Sequence, residues 1–86
     1  MYAIEFLPTA RKELSSLDSV VQKQLKDKII LLAADPAQLK NNIKPLKGEF
    51  SGKFRLRVRD YRIIFRIEEE KVLIMIIRIG HRKEVY

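Results

Sequence analysis

Cysteine is absent from this chain, which excludes disulfide staples and cysteine-metal centres and is compatible with a reducing cytoplasm. Long apolar runs are also missing. The longest, Val72 to Ile77, is far too short to cross a bilayer, and the opening MYAIEFLPTARKEL has no apolar segment of signal-peptide length. No linker, repeat or low-complexity stretch interrupts residues 1–86, and His81 is the only imidazole. These absences predict one soluble, cytoplasmic domain without a cofactor or metal. A domain of this length buries only about 60–65% of its unfolded surface, so its stability should be modest.

Against those absences stand 47% apolar residues in periodic runs, enough for a folded globule. Tyr2 to Phe6 alternates as a first strand. Pro8 and Thr9 then open a helix with Ala10, Leu14 and Leu17 on one face. A second helix is expected from Ser19, with Gln22 completing a capping box. It carries Val21, Leu25, Ile29 and Leu32 at helical spacing until Asp35-Pro36 stops it, and the two helices are expected to form an antiparallel hairpin. Ala37 to Lys47 reads as a loop leading to a short strand near Leu46 to Phe50. Three strands then follow in quick succession: Lys53 to Arg59, Tyr61 to Ile67 and Val72 to Ile79. The last strand is apolar on both faces and belongs in the middle of the sheet. The expectation is an α+β fold in β-α-α-β-β-β order, with a mostly antiparallel sheet packed on the helical hairpin. Arg78 is the polar exception in its final strand.

Charge is unevenly placed. Residues 1–43 hold six Lys/Arg against five Asp/Glu, and residues 44–86 hold twelve against six, so nearly all of the +7 net charge lies in the second half. Within KFRLRVRDYR, strand alternation sets Lys53, Arg55, Arg57 and Arg59 on one face and Phe54, Leu56 and Val58 on the other. A row of like charges repels itself, and a polyanion lying against it offsets that cost. Arg62, across the turn, should share the charged face.

An ARKEL-type first helix, a lysine-rich second helix, the segment PLKGEFSGKFRLRVRDYRIIFRI and the terminal RIGHRKEVY together resemble the RelE/ParE superfamily of toxin-antitoxin toxins, specifically its RelE-like mRNA interferase branch. The resemblance implies a ribosome-dependent endoribonuclease that cuts messenger RNA in the decoding site and is restrained by a cognate RelB-like antitoxin. It further implies a basic Arg/Lys/Tyr site, with Lys53 and Arg55 at the family's two lysine positions, Arg62 at the arginine after the turn, Arg82 at the arginine of the tail and Tyr86 at the terminal tyrosine.

Cutting RNA by its own 2′-hydroxyl requires a base, positive groups around the phosphorane and an acid for the departing 5′-oxygen. Lys53 is the candidate base, since like charges at Arg55, Arg57 and Arg62 disfavour its ammonium form, and its plainer reading is a phosphate tether. Arg55 stands where the family has lysine; always protonated, it can clamp phosphate but cannot act as a base. Arg62 would brace the scissile phosphate or pair with Asp60 or Glu84. Arg82 would stabilise the leaving oxygen, and Tyr86 would stack on a base or fray as the last residue. His81 is an acid or base candidate, with a bystander as its alternative. Arg57, Arg59 and Lys83 are expected RNA contacts, with a solvated edge as the alternative. An acidic antitoxin segment would cover the second face of the sheet and neutralise the basic site. Two other functions fit the same chain: a ParE-like inhibitor of DNA gyrase and a basic RNA-binding module without chemistry.

Overall fold

Proline at the first helical position, where its missing N–H costs nothing, opens α1 (Pro8–Ser15) directly behind the first strand, β1 (Ala3–Phe6). The computed structural model describes residues 1–81. The second helix, α2, spans Ser19–Ala34, and its N-cap is Asp18, whose carboxylate accepts from the Val20 N–H at 3.1 Å. The expected Ser19 to Gln22 capping box is not formed. Ser19 already lies inside the helix, and Gln22 Nε2 donates instead to the Leu17 carbonyl at 2.7 Å, tying α2 back to its own entry. Asp35-Pro36 ends the helix as expected, and Pro36–Asn42 continues as 3-10 turns.

Four strands follow: β2 (Ile43–Pro45), β3 (Phe54–Val58), β4 (Tyr61–Glu68) and β5 (Leu73–His81). The sheet runs β1-β5-β4-β3-β2, with β1 parallel to β5 and every other pair antiparallel. The α+β expectation holds, and β5 is an interior strand as its two apolar faces require. The short edge strand comes earlier than the expected Leu46 to Phe50. Proline has no N–H to give a ladder and tolerates the edge position of Pro45. Gly48 at φ 68° and Gly52 at φ 88° then carry the chain through left-handed turns that no strand accommodates.

A β-bulge in β5 decides what faces the core. Ile64 pairs with Arg78 while the next residue, Phe65, pairs with Ile76, so Ile77 is the extra residue. Ile74 and Ile76 before the bulge and Ile79 after it all join the buried cluster with Leu14, Leu25, Ile29 and Leu32 of the helices and Leu56, Ile63 and Phe65 of the sheet. Without the inserted residue the side-chain period of two would turn Arg78 into that cluster. The bulge is thus what lets one strand carry an arginine and still close the core.

Candidate nucleic-acid interface

The alternation of β3 divides its side chains cleanly. Leu56 and Val58 are buried in the helical core, while Arg55 and Arg57 project from the opposite face of the sheet. Lys53 stands one residue before the strand. Its carbonyl accepts the Leu46 N–H at 2.9 Å, so the ladder continues through it and its place in the alternation is that of Arg55 and Arg57. On β4 the register sets Arg62 directly opposite Arg57, and Lys44 of β2 lies directly opposite Arg55.

Direct cross-strand partners have Cβ atoms about 5 Å apart, and like charges at that spacing are destabilising. Two such pairs sit side by side on this face, Lys44 with Arg55 and Arg57 with Arg62. The Arg57 and Arg62 row runs on to Gly80 of β5, which contributes no side chain. Arg55 is half-buried, and its Nε has no hydrogen-bond partner among the described residues. A buried guanidinium N–H left unpaired costs free energy that an incoming anion recovers. The face is a grip for closely spaced phosphates.

Over residues 4–86 the sequence matches the family described as ParE toxin of type II toxin-antitoxin system, parDE. The chain belongs to this toxin family. Toxin RelG of Mycobacterium tuberculosis (strain ATCC 25618 / H37Rv) is 32% identical over 90 residues, covering 99% of this chain and 95% of RelG. The mRNA interferase toxin RelE of Escherichia coli K12 is 32% identical over 87 residues, covering 99% of this chain and 90% of RelE. A chain of the intact E. coli RelBE toxin-antitoxin complex superposes with a TM-score of 0.77 at 29% identity, over 94% of this chain and 96% of that one. The expected superfamily and fold are therefore those of this family member.

Not every expected site residue joins the row. Arg59 was expected in line with Arg55 and Arg57, but Val58 pairs with Tyr61 and closes the hairpin, so Arg59 opens the turn at φ 55° and leaves the alternation. The register sets His81 opposite Tyr61, whose ring packs on the helical core and meets the imidazole edge-on at a centroid distance of 5.9 Å. His81 therefore belongs to the core side of the sheet, across from Arg55, Arg57 and Arg62. Arg82, Lys83 and Tyr86 lie outside the described residues.

The partner of Arg78 is Glu13. The Glu13 carboxylate accepts from Arg78 Nε at 3.1 Å and from its terminal nitrogen at 2.9 Å, and also from the backbone N–H of Ile79 at 2.9 Å. β1 ends opposite Ile76, so the outer edge of β5 has no strand beside it at Ile79, and Glu13 takes over that duty. This pairing raises the Arg78 pKa above its ordinary value, chiefly through the hydrogen bond to Glu13. The sequence held the signal: an arginine in an apolar strand requires a carboxylate, and the ARKEL helix had one to give. No cluster of His, Asp and Glu among the described residues could hold a metal ion, and no described helix is long and apolar enough to cross a membrane.

Proposed function

We propose that this chain is a RelE-branch toxin, a ribosome-dependent endoribonuclease that cuts messenger RNA in the decoding site and is held inactive by an antitoxin. The observation that carries the reading is the in-register Arg57 and Arg62 pair, flanked by Arg55 and Lys53, on the face turned away from the core. Family membership alone leaves two activities open, since the family description names ParE whereas the curated relatives are RelG and the interferase RelE. A cationic row of this density suits a phosphodiester more than a protein surface.

In the proposed step the messenger's 2′-hydroxyl gives its proton to Lys53 and attacks the adjacent phosphorus. The bond to the 5′-oxygen breaks, leaving a 2′,3′-cyclic phosphate and a 5′-hydroxyl. Arg55 and Arg62 hold the non-bridging oxygens as charge gathers on them. Arg82 is assigned to the leaving oxygen and Tyr86 to stacking on a base, following the family motif they match. His81 receives no step, because the row and the imidazole are on opposite faces. Arg57 holds RNA next to the cut.

A RelB-like antitoxin is the proposed partner, as in the solved RelBE complex of the E. coli relative. An acidic segment would neutralise the row. The apolar cleft of about 460 Å³ between β1, α1 and α2, lined by Ile4, Phe6, Leu14 and Ile29 with Arg11 and Lys26, would seat apolar side chains of the same partner. Its workplace would be the cytoplasm.

Primer extension on programmed ribosomes tests the reading. Wild-type protein should give cuts at fixed codon positions, and Lys53→Ala or Arg62→Ala should slow single-turnover cutting by about 10²-fold or more. DNA damage in cells without cuts on ribosomes would indicate the gyrase inhibitor. Ribosome binding without cuts would indicate the non-catalytic module.

A further inference from the structure

We propose that this chain has a second anion site, a pocket at the outer edge of the β3-β4 hairpin that takes a phosphodiester of ribosomal RNA, separate from the row assigned to the cut strand. The inference rests on the ribosomal reading above and adds to it a contact made from α2.

β2 stops opposite Leu56, so the outer edge of β3 has no strand beside it from Arg57 onward. There a pocket of about 410 Å³ opens between α2, the Pro36–Asn42 turns and the hairpin tip. Buried Leu39 and Val58 form its floor, and Lys28, Arg57 and Arg59 stand around it with the amides of Gln24 and Asn42. The one carboxylate in the lining, Asp27, is already held by Lys23 at 3.4 Å. Among the described residues Lys28, Arg57 and Arg59 form no ion pair.

Three unneutralised cations and two amides, converging from three separate chain segments, make the donor set of a phosphate site. Arg59 supports this independently. It holds φ 55°, a conformation that glycine would adopt without strain, yet the chain places a long cationic side chain there. An acidic peptide fits less well, because Leu39 and Val58 alone offer little apolar surface to anchor one. The messenger fits less well too, since the pocket turns towards α2 while the row lies on the far side of the sheet; one cut strand would have to wrap the edge to reach both. A folded RNA with phosphates on two sides of the protein meets the geometry.

The test uses full-length protein freed from its antitoxin and small ribosomal subunits that carry no messenger. Lys28→Glu should weaken binding roughly tenfold, and Lys28→Gln should lower the slope of log K against log salt by roughly 0.9. Asn42→Ala should weaken binding without changing that slope, and unchanged unfolding temperatures would show that the variants fold. Wild-type affinity and slope in all three would overturn the site. So would a loss confined to messenger-loaded ribosomes, which would assign the pocket to the messenger, or a loss confined to antitoxin binding, which would assign it to an acidic peptide. Wild-type protein that binds subunits but never cuts would sink the nuclease and leave the pocket standing, so the two failures are distinguishable.

Discussion

At the scale of single residues, Glu13 joins α1 to β5, satisfying Arg78 and the Ile79 N–H with one carboxylate. Glu13→Ala removes three bonds and leaves a backbone donor and a guanidinium without it. Hydrogen bonds to charged groups contribute about 1.5–3 kcal/mol, but the Arg78 side chain is 40% exposed and solvent screens part of that. The expected loss is about 2 kcal/mol, measured by urea unfolding, and Arg78→Leu in the same background should recover part of it. Tyr2 offers a pH test. Its hydroxyl donates to Glu69 at 3.0 Å, and that bond, followed by desolvation and the Glu69 charge, raises its pKa above 10.0. A raised folded value means that the stabilisation is present below the ordinary value and is lost as pH climbs through the folded one. The phenolate absorbance assigned by difference from Tyr2→Phe should therefore appear later than that of a free tyrosine, and Glu69→Gln should bring it back towards 10.0.

At the scale of elements, the turn between β4 and β5 stores strain that can be released. Val72 follows the 3-10 turn Glu69–Lys71 at φ 51°, where a β-branched residue clashes with its own backbone, and its side chain is 48% exposed and supplies little packing. Val72→Gly should raise stability by about 1 kcal/mol, visible as an upward shift of the thermal midpoint. No change, or a loss, would mean that the exposed valine packs better than its exposure suggests. The same turn shows what was legible from sequence. Glu68 to Lys71 is a charged break between two apolar runs, so a reversal there was readable, whereas its left-handed exit on a valine was not, because valine is the wrong residue for it. The two helices and the interior place of β5 follow from apolar spacing alone. The bulge at Ile77 does not, since a strand that is apolar on both faces gives no parity by which to notice an extra residue. The Asp18 cap was obscured by a neighbouring serine of equal capping strength. Within the site, Arg55, Arg57 and Arg62 were readable from alternation and one turn. The departures of Arg59 and His81 from that face required the hairpin to be closed and the register fixed.

For the whole molecule, the division of charge matches the division of labour. Helices and first strand hold a nearly neutral half, and the strands that carry the row hold almost all the excess. Such a field makes binding to RNA a matter of counterion release. If Lys53, Arg55, Arg57 and Arg62 each neutralise one phosphate of a single strand at about 0.7 per contact, log K falls with log salt at a slope of about 3, and a fourfold rise in salt weakens binding about 50-fold. A partner held through a protein surface has no condensed counterions to release, so gyrase binding would vary far less over the same range. Titrating ribosomes and gyrase against the chain at 50 and 200 mM salt therefore tests the electrostatic basis of the nuclease reading apart from cutting. A salt dependence much shallower than this on ribosomes would mean that the cationic row does not meet RNA backbone, and the like charges opposed across β3 and β4 would then need a different anion to offset their repulsion.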